Sequence, residues 1–159
     1  MSALFEHYAH TVVFVHVLGA FVWVGGMIAV RAAVHPVMQS IEEPKIKLGK
    51  TLEITGRLFN LVMPFIFLIL ITGLIMAIAM EGHHGANKGL FIAKEAIWSV
   101  MTLNYAFMYI KRARAWKLFR SGDLPAAKAL VANIPNLLLP VNIVLGVTAL
   151  WLGVSLRGY

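Results

Sequence analysis

The sequence predicts an all-α integral membrane protein, a four-helix transmembrane bundle forming a single domain over residues 1–159, and three observations predict it. The chain is 60% hydrophobic and only 13% charged, against about 45–50% and about 25% in globular domains, and its mean hydropathy is +0.79. Four apolar runs, at about residues 8–30, 58–80, 89–110 and 135–156, are each close to the ~20 residues that carry a helix across ~30 Å of hydrocarbon. The basic residues are confined almost entirely to two of the loops between those runs. Membrane strands are disfavoured, because an open sheet edge cannot satisfy its backbone in lipid and the alternation of a barrel is missing.

The first run has no basic segment before it, and its apolar stretch 11–30 is far longer than the roughly 7–15 residues of a signal-peptide core, so it is expected to stay in the mature protein. Loop one holds Arg31, Lys45, Lys47, Lys50 and Arg57; loop three holds Lys111, Arg112, Arg114, Lys117, Arg120 and Lys128. Lys88, Lys94 and Arg157 are the rest of the fourteen basic residues. Eleven against three predicts loops one and three in the cytoplasm and both termini outside, across a bacterial inner membrane. Residues 45–54 of loop one read as a short amphipathic surface helix, and the basic run from Lys111 as an extension of the third helix past the bilayer. Both basic faces suit anionic lipid.

Composition also excludes chemistry. With no cysteine, disulfides, thiolate metal sites and iron–sulfur clusters are out. The net charge of +7 has a topological cause, and no motif suggests nucleic acid as a partner. Neither a Walker-type loop nor a zinc-protease or hydrolase motif is present.

Function must then come from polar groups inside the spans, which are costly there. His16 lies ~10 Å deep at ~1.5 Å per residue, on a stripe with Ala20, Trp23 and Met27, flanked by Gly19 and Gly26. Two readings stay open: an axial ligand beside glycines that admit a flat macrocycle, or a histidine hydrogen-bonded to a neighbouring helix, with the glycines serving close packing. Lys94, at a similar depth, shares a stripe with Trp98, Met101, Tyr105 and Met108. It could hold a carboxylate, pair with Glu95, or snorkel to the headgroups. In the fourth run Asn142, Gly146, Ala149 and Gly153 form a small-residue helix seam. Pro64 and Pro140 are expected to kink their helices. A second polar layer (Arg31, Arg57, Asn60, Asn104, Asn133, Asn136) lies toward the basic side.

The second, third and fourth runs contain no histidine. Any haem would be held by His16 alone, by His16 with a methionine such as Met101, or across a dimer. His35 stands near Arg31 at the basic interface. His7 and His10, with Met80, Glu81, His83 and His84, could assemble an outer copper or zinc site, or be ordinary polar loop residues.

The stretch His16-Val-Leu-Gly-Ala-Phe-Val-Trp23-Val-Gly-Gly26, followed by Arg31 and His35, resembles the first helix of the HemJ-type membrane protoporphyrinogen oxidases and the related CopD-type copper-resistance domains. Gly56-Arg57-Leu-Phe-Asn-Leu-Val-Met-Pro64 and Thr72-Gly73 are similar to the HemJ second helix; Lys94 matches its third-helix lysine, and Asn133-Ile134-Pro135 stands where that family has Asn-Glu-Val-Pro. The resemblance implies a haem-b-binding bundle that oxidises protoporphyrinogen IX and passes electrons toward the respiratory chain. His16 would be the axial ligand, with His35 second; Trp23 would line the pocket, and Arg57 and Lys94 would hold tetrapyrrole carboxylates. Copper handling through His10, His83 and His84, or a role as an accessory subunit of a respiratory complex or homo-oligomer, are the competing expectations.

Overall fold

The computed structural model describes residues 2–80, 84 and 87–156, and among these no residue is in a strand. The first apolar run is α1 (Ser2–Ala20), α2 (Gly26–Ala29) and α3 (His35–Gln39), joined end to end by π-helical turns at Phe21–Gly25 and Val30–Val34. The second widened turn leads into His35-Pro36. Proline lacks the N–H that would close an α turn there, and a wider turn absorbs the mismatch.

α4 (Pro44–Ala79) is one unbroken helix of 36 residues. The segment 45–54 is therefore not a separate surface helix, which corrects the sequence expectation. The reason is visible in the buried stripe Leu48, Leu52, Gly56, Phe59, Val62, Ile66 and Ile69, which runs at three- and four-residue spacing through the junction without a phase change. Pro64 does not interrupt the helix assignment either.

α5 (Lys88–Arg120) carries the third run well past residue 110, as the basic extension predicts. Gly122, at φ 89°, turns the chain out of α5, a left-handed position that glycine takes without strain. Asp123 then caps α6 (Leu124–Val131), its side chain accepting from Ala126 N at 3.0 Å. A third π turn, Ile134–Leu138, precedes Pro140 and opens into α7 (Leu139–Ser155).

Three stretches, His7–Gln39, Pro44–Ala79 and Leu124–Ser155, are long and apolar enough to cross a membrane. α5 has the length, at 33 residues, but Lys94, Glu95, Asn104, Lys111 and Arg112 make it too polar to qualify by itself. Packing follows a circuit: α1 lies along α4, α4 against α5, α5 against α6 and α7, and α7 returns to α2 and the turn Phe21–Gly25. Trp23, Met27, Phe59, Tyr105 and Met108 fill the interior. Phe21, Leu103 and Trp151 stay 70–71% exposed, part of an apolar exterior far beyond what a water-facing surface tolerates.

Candidate functional site

His16 projects from α1 onto α4, its Nδ1 2.9 Å from Thr72 Oγ1. The Thr72 hydroxyl spends its own hydrogen on Leu68 O at 2.6 Å, with Ile69 O at 3.3 Å. With that hydrogen on Leu68 O, the imidazole Nδ1–H is the donor to Thr72 and Nε2 keeps the ring's lone pair. A carbonyl–hydroxyl–imidazole relay of this kind fixes both tautomer and ring orientation. The Lys94 ammonium on α5 acts on this ring through space, and its Nζ lies 3.1 Å from where a Cβ on Gly153 would sit.

The glycines around His16 are occupied. A Cβ on Gly19 would meet Ile69 Cγ1 at 2.8 Å, and one on Gly26 would meet Leu58 Cδ1 at 2.9 Å. Gly146 faces Val24 and Met101 in the same way. Only Gly73, with His16 Cε1 at 3.5 Å, borders the histidine itself. These glycines bring helices together, and they favour the packing reading of the Gly19 and Gly26 positions.

Toward the middle of the helices the polar groups pair across elements. Asn104 Nδ2 donates to Asn142 Oδ1 at 2.7 Å and to Leu138 O at 2.8 Å, while Asn142 Nδ2 donates to Met101 O at 3.1 Å. Asn142 is 0% exposed, so this ladder ties α5 to α7 in dry surroundings. Tyr105 Oη donates to Phe59 O at 2.6 Å, and its ring meets Trp23 and Phe59 edge-on. Among the described residues three buried side-chain atoms have no protein partner: Trp23 Nε1, Trp98 Nε1 and Thr102 Oγ1. Buried donors are normally satisfied, so each of these has capacity for a ligand atom or water.

A cavity lies at the opposite, basic end. It measures about 820 Å³ and opens between Val30–Gln39, the first turns of α4, and the segment from Leu124 to Leu139. Its apolar wall includes Val34, Leu48, Leu52, Leu58 and Ile134, and its charged lining is Lys47, Arg112 and Lys128, with His35 at the margin; no carboxylate lines it. Arg112 reaches inward from α5: Nε donates to Leu52 O at 2.8 Å, the guanidinium fills the place a Cβ on Gly56 would take, and Cζ stands 5.1 Å over the Trp116 ring. Burial lowers the Arg112 pKa from the ordinary guanidinium value, and an arginine nevertheless stays charged at neutral pH. Lys47 Nζ donates to Gln39 O at 2.9 Å, and Gln39 Nε2 donates to His35 Nε2 at 3.2 Å.

The predicted residues are therefore divided. His16 and Lys94 belong to one half, with Trp23 a turn or two further along α1's continuation, and His35 belongs to the basic-end cavity. Arg57 joins neither: it is 80% exposed and pairs with Glu53 at 2.8 Å on the outside of α4. His7, His10 and His84 are exposed, His83 lies outside the described residues, and among the described residues no three His, Cys, Asp or Glu side chains converge on a metal position. Thr72 and Arg112 were not singled out from the sequence as partners in these sites. For Arg112 the signal existed, since the stripe Lys94, Trp98, Met101, Tyr105, Met108 continues at the same spacing to residue 112.

No protein-family description, curated protein or solved structure matches the chain.

Proposed function

We propose that the chain is a multi-pass inner-membrane protein, a four-helix transmembrane bundle with termini outside and basic loops cytoplasmic, that binds haem b through His16 and acts in membrane redox chemistry. The observation that carries this reading is the relay Leu68 O–Thr72 Oγ1–His16 Nδ1, because a metal-binding imidazole characteristically donates its other N–H to a fixed acceptor. The residues around it fit the group. Nε2 offers one lone pair, the Lys94 ammonium suits a propionate, and the unpartnered indole N–H groups of Trp23 and Trp98 can meet acceptor atoms.

Haem bound there would supply one-electron chemistry. The chain's own contribution is to hold the imidazole neutral and oriented, to place one cation near it, and to exclude water with the Gly19, Gly26 and Gly146 seams. The sequence resemblance to the HemJ type supports protoporphyrinogen IX as the reductant, with electrons leaving toward the respiratory chain.

A visible spectrum of the detergent-purified protein tests this. The expected result is a Soret band with resolved α and β bands after dithionite. His16→Ala should abolish it, and Thr72→Val should shift the band or the reduction potential while haem is retained. A colourless protein, or a spectrum unchanged in His16→Ala, overturns the assignment.

A further inference from the structure

The geometry points to the basic-end cavity as a binding site for one anionic phospholipid, its phosphate held by Arg112, Lys47 and Lys128 and its acyl chains laid along the apolar wall between α3, α4 and the Ile134–Leu138 turn. The site is separate from the His16 locus and does not rest on haem binding.

The charge balance argues first. Three permanent cations line one cavity without a single carboxylate, although Glu53 and Glu43 lie nearby on α4 and its approach. The two ion pairs formed there, Lys50–Glu53 and Arg57–Glu53, use residues that do not line the cavity. A cavity whose charged lining is all of one sign suits an anion.

Arg112 argues second. Its Nε is committed to Leu52 O and its plane is set by Trp116 and the bare Gly56 backbone. No carboxylate lies within ion-pair distance of it among the described residues. A guanidinium held so rigidly is preorganised for a phosphate, whose oxygens it meets bidentately.

Shape and position argue third. About 820 Å³ falls within the range of ligand pockets. Lys47, Arg112 and Lys128 lie outside the apolar runs 58–80, 89–110 and 135–156, and the remaining wall is largely aliphatic, which matches an amphiphile better than a free anion. Basic pockets between membrane helices are a recognised form of anionic headgroup site.

The test is a titration of the detergent-purified full chain with dioctanoyl phosphatidylglycerol, dioctanoyl phosphatidylcholine and inorganic phosphate, read by calorimetry and by native mass spectrometry. Phosphatidylglycerol should bind at one copy per chain, at least about tenfold tighter than phosphatidylcholine or free phosphate. Lys47→Gln and Lys128→Gln should each weaken it about fivefold, taking ~1 kcal/mol per cation, and Arg112→Gln by at least about tenfold. The two lysine variants lie at the rim and keep the test valid should Arg112→Gln fail to fold. His16→Ala should bind the lipid as wild type does, which separates this outcome from that of the haem assignment. Equal affinity for both lipids, tighter binding of free phosphate, or affinities unmoved in both lysine variants overturn the proposal.

Discussion

The two halves of this protein use small residues and charge in opposite ways. In the half that holds His16, Ile69, Leu58 and Val24 crowd the places where Cβ atoms on Gly19, Gly26 and Gly146 would be, while Gly73 meets the His16 ring at ordinary contact distance. The helices touch there, and of the polar groups His16 pairs with Thr72 while the Trp23 and Trp98 indoles are left without a partner. At the basic end Gly49 and Gly56 are also filled, by Phe119 and Arg112, yet a large cavity remains. Lys47, Arg112 and Lys128 line that cavity and no carboxylate does. Helix contact is closest at the small residues, and the hollow is bordered by unbalanced charge.

That contrast can be broken by substitution. The largest effect is expected at Gly146, where an added Cβ would sit 2.5 Å from Val24 Cγ2 and 3.2 Å from Met101 Cε. Gly146→Ala should cost about 1–3 kcal/mol, seen as a lower midpoint in SDS-induced unfolding. Next comes Asn142→Ala, which deletes both rungs of the ladder to Asn104 and Met101. A loss of about 1–2 kcal/mol is expected from interhelical membrane hydrogen bonds, detectable as a lower thermal transition in mild detergent. The smallest belongs to the cavity wall. Thr55 donates only to Thr51 O, one turn back on its own helix, so Thr55→Val should leave stability within about 0.5 kcal/mol. If the wall proved as sensitive as the seam, the hollow would be tightly packed and the contrast false.

The helices themselves were legible because three of the four apolar runs are long and apolar enough to cross a membrane, and because Leu48 to Ile69 keeps one phase along α4. What misled was Pro44 and the lysines after it, which mark a helix start correctly but suggest a surface segment. Nothing between Ile54 and Leu58 ends a helix, so tertiary packing against α5 and α6 carried it through. The π turns were not legible: Gly25-Gly26, Pro36 and Pro140 mark weak points, but none of them says which turn takes the extra residue. His16 announced itself as a buried imidazole, and Thr72 could be read as part of a motif. That the two meet depends on the register of α1 against α4, which Gly19 and Ile69 decide. Arg57 looked like an inward cation by its place in that motif. Glu53, four residues earlier on the same outer face, holds it outside instead, a pairing available from spacing alone.

α4 has one further consequence. At ~1.5 Å per residue its 36 residues measure about 54 Å, well beyond the ~30 Å hydrocarbon layer. It borders the cavity through Lys47, Thr51 and Thr55 and, several turns later, grips the imidazole through Thr72. No loop separates these two duties, and Pro64, which leaves the Asn60 carbonyl without its α-helical donor, is the single soft joint between them. The helix is long and apolar enough to cross a membrane with turns to spare. The residues that set where its basic end lies and the hydroxyl that meets the imidazole thus belong to one continuous helix.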